Sequence, residues 1–157
     1  MGGPGFAAIA AAMLTAQSNA EAGSCAISYG ADEAIAALIR DKGFSFDTYD
    51  RLCPALRQHG LELVIVGGKG VMEERAYGWA TLSARRVATH ARSDINFNSI
   101  TLYQATDEPA AADALYESIN GSADGIADDM AELVQSIEQE EARLRAAFSA
   151  EGGRRER

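Results

Sequence analysis

The sequence predicts an α+β fold: an antiparallel β meander of three to four strands flanked by N-terminal and C-terminal helices. Three observations carry this. Apolar residues recur at helical spacing in two blocks, one on each side of the chain's middle. Between them, residues 61–104 are β-branched, apolar or alternating. The length of 157 residues, 47% hydrophobic and 24% charged, suits one domain with one core. Strands in one run and helices in others place the helices on a sheet face.

The chain opens with an apolar run, Phe6 to Ala16, of eleven residues. A spanning helix needs about twenty, so the run fits the apolar region of a secretory signal. Ala20-Glu21-Ala22 supplies an A-x-A cleavage pattern and Ser18-Asn19-Ala20 a second one. Residues 1–22 are therefore read as a signal peptide, although Met1 to Gly5 lacks the usual Lys or Arg. A buried Ala-rich helix is the alternative. Residues 23–150 form the single domain, and 151–157 a frayed, disordered tail. No later stretch approaches membrane-spanning length, so no stable membrane insertion is expected.

Cys25 and Cys53 are the only cysteines. In an exported chain an even count predicts a disulfide. The bridge would close a loop of about 29 residues and, in the chain-entropy model, stabilise the fold by about 3–4 kcal/mol. Lipidation of Cys25, two free thiols and a nucleophilic Cys53 are the competing readings. Ala22-Gly23-Ser24-Cys25 is a poor lipoprotein processing site.

Asp32 to Lys42 predicts the first helix. Ile35, Leu38 and Ile39 share a face, acidic residues sit at its start and basic ones at its end, and Gly43 stops it. A second helix follows, capped by Ser45 or Asp47. Its apolar face is Tyr49, Leu52, Cys53 and Leu56, with a kink or restart expected at Pro54 and an end at Gly60.

Leu61 to Val66 predicts a central strand. Gly67-Gly68-Lys69-Gly70 reads as the hairpin turn into a second strand, Val71 to Leu82. A phosphate loop is excluded there, since that motif ends in Gly-Lys-Ser/Thr ahead of a helix. Val87 to Arg92 and Ser99 to Gln104 are two further strand candidates around a polar loop. Asp107-Glu108-Pro109 starts a helix that Asn120-Gly121 closes. A last helix runs from about Ser122 to Ala147, with Ile126, Met130, Leu133, Ile137, Leu144 and Phe148 on one side.

Charge restricts function. Fourteen Lys and Arg against 23 Asp and Glu leave a net charge of -9. Phosphate neutralisation needs a basic face, so the balance argues against an unaided nucleic-acid binder. Attraction to an anionic membrane surface is opposed for the same reason.

Two surfaces are candidates for binding a partner. From Asp107 to Glu141 there are eleven carboxylates and no Lys or Arg, and Asp124, Asp128, Asp129 and Glu132 cluster at the start of the last helix. A one-signed patch of this kind can steer a basic protein partner. It lacks the order of a calcium loop, so no metal is assigned. In the meander, Arg75, Arg85, Arg86, His90 and Arg92 accompany Tyr77 and Trp79, residue types that dominate interface hot spots. Trp79 could equally be the core aromatic of the sheet.

No catalytic residues and no cofactor are assigned. The expected function is a small exported protein, periplasmic or secreted, that is not an enzyme and binds another protein. An inhibitor or toxin-immunity protein is its sharpest form. The alternatives are an envelope hydrolase using His90 with Ser93 or Asp94, and a structural subunit of an envelope assembly that pairs through the last helix.

Overall fold

The computed structural model describes residues 25–152, so the predicted signal segment and residues 153–157 lie outside the described residues. An extended segment from Cys25 leads into β1 (Tyr29–Gly30), followed by α1 (Glu33–Lys42) and α2 (Tyr49–Gln58). The strands β2 (Leu61–Met72), β3 (Arg75–Arg86) and β4 (Phe97–Tyr103) come next, then α3 (Glu108–Asp128) and α4 (Met130–Gly152). The sheet order is β1-β2-β3-β4. β2, β3 and β4 are the predicted antiparallel meander, and β1 adds a short parallel edge beside Leu63 and Val64. The fold is α+β, with a mixed four-stranded sheet.

Local chemistry explains the helix starts. The Asp32 carboxylate accepts from the Ile35 N–H at 2.9 Å, and the Asp107 carboxylate from the Ala110 N–H at 2.8 Å. Each satisfies a donor that the first helical turn leaves open. Ile35 and Ile39 of α1, and Leu52, Cys53 and Leu56 of α2, are buried as the periodicity requires. They meet Leu61, Leu63 and Ile65 of β2, Leu82 of β3, and Leu115, Ile119, Ala123 and Ile126 of α3.

Six expectations are corrected. Gly67-Gly68-Lys69-Gly70 is not a turn: it lies inside β2, and the hairpin closes at Glu73-Glu74 between the paired residues Met72 and Arg75. The glycines make room for aromatic rings on β3. Gly68 pairs with Trp79 and Gly70 with Tyr77, and a Cβ on Gly68 would stand 2.8 Å from the Trp79 Nε1. Cross-strand aromatics that fold over glycines restore the packing the glycines lack.

Val87 to Arg92 is a turn rather than a strand. His90 takes a left-handed conformation with φ 58, and its N–H donates to the Arg86 carbonyl at 2.8 Å. Glu141 of α4 holds this turn by accepting from the Thr89 hydroxyl at 2.7 Å.

The Asn120-Gly121 pair does not end a helix. α3 runs through it to Asp128 and breaks at Asp129. The Asn120 amide is buried and satisfied, accepting from the Ser45 N–H and donating to the Tyr116 carbonyl. Gly121 lies over Ser99 and Gly125 over Phe97, so small residues bring α3 down onto the sheet.

Pro54 neither kinks nor restarts α2, which is continuous from Tyr49 to Gln58. Its cap is Thr48 rather than Ser45 or Asp47. α4 reaches Gly152, so the first two residues of the predicted tail are helical.

Candidate functional site

Strand alternation sorts the sheet into two faces. Even-numbered residues of β3, from Ala76 to Ala84, are buried beneath the helices, and α3 lies across β2, β3 and β4. Gly78 marks the closest approach, since a Cβ there would overlap the α3 backbone at Ala114 and Leu115. Odd-numbered residues point the other way. By register, the second face carries Val64, Val66 and Met72 from β2, Arg75, Tyr77, Trp79, Thr81, Ser83 and Arg85 from β3, and Asn98, Ile100 and Leu102 from β4. None of the described helices packs on this face. Val66, Met72, Trp79, Ile100 and Leu102 are exposed on it.

The middle of β4 inverts the usual pattern. Ser99 and Thr101 face α3, where the Ser118 hydroxyl lies 3.1 Å from the Thr101 hydroxyl and donates to the Gly78 carbonyl at 2.8 Å. Ile100 and Leu102 face outward, 65% and 52% exposed. A half-buried strand normally turns its apolar side chains to the core and its hydroxyls to water. Here Ile100 and Leu102 are outside, while Phe97 at the start of the strand still packs on the core.

Trp79 is thus not a core aromatic: it is 39% exposed at the middle of the open face, between Gly68 and Ile100. The arginines divide. Arg85 lies on the open face in an ion pair with Glu62, and Arg92 joins it there, its Nε donating to the Ser83 hydroxyl at 2.7 Å. Arg75 sits at the far end of the same face. Arg86 is on the helix side. Its Nε lies 2.9 Å from a Glu141 oxygen, but the N–H is not aimed at that oxygen and makes no hydrogen bond. The guanidinium donates instead to the His59 carbonyl. Glu141 is held below the usual carboxylate range, first by the Thr89 hydroxyl and then by Arg86.

The acidic residues divide as well. Asp124 turns inward, accepting from the Thr48 N–H at 2.9 Å and the Thr48 hydroxyl at 3.0 Å. Asp128 is exposed and ion-paired with Arg51 at 2.8 Å. Asp129 and Glu132 are exposed at the α3–α4 junction. Of the four, two stand without an ion pair or an inward contact among the described residues.

Ser93, Asp94 and Ser136 form one hydrogen-bonded set: the Ser93 hydroxyl lies 3.1 Å from the Ser136 hydroxyl, which donates to Asp94. His90 is exposed on its turn and is not part of that set. On the helix side, Ser45, Tyr103, Asp113, Tyr116, Glu117 and Asn120 line a cavity of about 380 Å³. Hydrogen bonding to Glu117, with burial second, pushes the Tyr103 hydroxyl up to about 12.

Cys25 and Cys53 are joined by a disulfide, and the Tyr49 hydroxyl donates to the Cys25 carbonyl at 2.7 Å. A sulfur in a disulfide is not available for the thioether of a lipoprotein anchor.

No protein-family model matches the chain, and no curated protein is a match to it. Among solved structures, the chain is similar to one from Caulobacter crescentus described as a "putative lipoprotein", at 14% identity, covering 59% of this chain and 85% of that one, with a TM-score of 0.27. A likeness at that TM-score supports nothing about fold or function. Disulfides such as Cys25–Cys53 persist in oxidising compartments and are rare in the reducing cytosol, so the chain reads as extracytoplasmic. No helix among the described residues is long and apolar enough to cross a membrane.

Of the residues on the open face, the sequence singles out Trp79, Tyr77 and Arg85 but not Val66, Met72, Ile100 and Leu102. A signal for the last two was present. In Ser99-Ile100-Thr101-Leu102 the polar and apolar residues alternate, and only the register decides which set faces the helices.

Proposed function

We propose that this is an exported, non-enzymatic protein, periplasmic or secreted, that binds a partner protein through the open face of its sheet. The inverted middle of β4 is the observation that supports this reading. Ile100 and Leu102 leave most or half of their surface in water, and with Trp79, Val66 and Met72 they make an apolar centre bordered by Arg75, Arg85 and Arg92. Contiguous exposed apolar patches with polar rims are characteristic of interaction sites. Trp and Arg are the residue types that most often carry interface energy. A protein that inhibits or neutralises an exported enzyme is the sharpest form of the proposal. The partner would bring an apolar patch with an acidic rim. The exposed junction of Asp129 and Glu132 would lie outside the contact.

The test places a photo-crosslinking amino acid at residue 100 in producing cells, with residue 138 on the exposed side of α4 as control. A discrete adduct with a different protein from position 100 alone, lost in a Trp79→Ala background and kept in an Asp129→Lys, Glu132→Lys background, is the expected result. No adduct at position 100, or an adduct of twice the chain's own mass, would overturn the reading.

A further inference from the structure

The cavity on the helix side lies away from the open sheet face and stands independently of it. Asp113, Tyr116, Glu117 and Asn120 follow one another on α3 at spacings of three and four, which puts them on one side of that helix. Tyr103, the last residue of β4, and Ser45, in the loop after α1, complete the lining. The buried Asn120 amide ties α3 to that loop through the Ser45 N–H, so the floor is held in place. The volume of about 380 Å³ is within the range of small-ligand sites.

The chemistry of this cavity is that of a receptor for positive charge. Two carboxylates and two tyrosines line it, with no Lys or Arg in the lining. One cation already reaches its edge. Lys42, at the end of α1, ion-pairs with Asp113, and its Nζ stands 5.0 Å from the centroid of the Tyr116 ring. A carboxylate and an aromatic face acting together on one ammonium is how aromatic sites recognise organic cations. Glu117 makes no ion pair among the described residues; its neighbour is the Tyr103 hydroxyl. Lys42 therefore neutralises one of two negative charges and leaves the other open.

We infer that the cavity between α3, the end of β4 and the α1–α2 loop binds an organic cation, an alkylammonium or guanidinium group, between Asp113 and Glu117 and against the Tyr103 and Tyr116 rings. Lys42 is the tethered competitor for this site. The cation can come from a free small amine or from a Lys or Arg side chain of a protein.

The test titrates the full folded chain with choline chloride and, separately, with N-acetyl-arginine methylamide, following the Tyr ring signals by NMR against sodium chloride at matched ionic strength. A saturable shift confined to this cavity is expected with at least one probe. Saturation by choline identifies the free amine as a ligand, and saturation by the arginine derivative alone identifies the side chain. Lys42→Gln should tighten binding and Glu117→Gln weaken it, each on the order of tenfold. Tyr116→Leu, which keeps apolar bulk without a ring face, should weaken it too. All three positions are partly or fully exposed, so unchanged melting temperatures will separate these effects from unfolding. Shifts equal to those from sodium chloride, or affinities that ignore both charge substitutions, would overturn the inference.

Discussion

The carboxylate of Asp124 on α3 receives both the backbone N–H and the hydroxyl of Thr48, the residue that begins α2. Thr48 makes no cap with its own side chain, so α2 takes its capping group from a helix 76 residues further along the chain. Asp124→Ala should cost about 1–2 kcal/mol, the usual loss for a helix cap with a hydrogen-bonded partner left behind. Asp124→Asn should cost less, since the amide oxygen still accepts. Urea unfolding of the two variants measures it, and equal, negligible losses would assign Asp124 to the solvent instead.

At Gly78 the sheet and α3 touch through backbone. An alanine Cβ would overlap Ala114 and Leu115 of the helix. Gly78→Ala should therefore destabilise by about 1–3 kcal/mol or more, as overpacking does in a close-packed interior. Gly43→Ala gives a contrast. It has open space around it but φ 70, so its cost should reflect conformation alone. Thermal melts of both variants check the order.

The disulfide closes a loop between positions 28 apart in sequence and fastens the extended N-terminal segment to a fully buried Cys53. Replacing both cysteines by alanine should remove about 3–4 kcal/mol in the chain-entropy model. Denaturant titrations of the oxidised, reduced and double-alanine forms test this, and reduced and oxidised forms of equal stability would refute it.

Tyr103 should titrate well apart from an ordinary tyrosine. Glu117 and burial favour its neutral form in the folded chain, with ionisation near pH 12. The folded value is raised above the unfolded one, so its contribution to stability is complete below about pH 10 and disappears as pH rises towards 12. Absorbance titration near 295 nm should show one late tyrosine, and Glu117→Gln should bring it back towards 10.

Glu141 gives the opposite sign. Its folded value is lowered, so the stability it contributes is present above the unfolded range near 4.5 and is lost as pH falls through the folded value. Thr89→Val removes the first cause of the lowering. The acid unfolding midpoint of that variant should move up in pH.

Much of this molecule was legible in its sequence. Helical periodicity located Ile35, Ile39, Leu52, Leu56, Leu133 and Ile137, all buried. Asp32 and Asp107 announced their helices because a cap acts within three residues. The cysteine pair needed only an even count and an oxidising compartment. These features depend on neighbours along the chain, or on composition, and so leave a mark that can be read linearly.

Tertiary structure alone decided the rest. A glycine that permits a turn and a glycine that admits a Trp ring are the same letter, and only the pairing of Gly68 with Trp79 tells them apart. Asn120-Gly121 spells a helix end until α3 is laid against Ser99. Whether Ile100 or Thr101 faces water follows from register, since moving a strand by one residue exchanges its faces. The open face around Trp79 joins three strands, and the cavity beside Lys42 joins one side of α3 to Tyr103 and Ser45, meetings that no local pattern signals. Close packing makes these choices, because it acts between surfaces that meet only after the chain has folded.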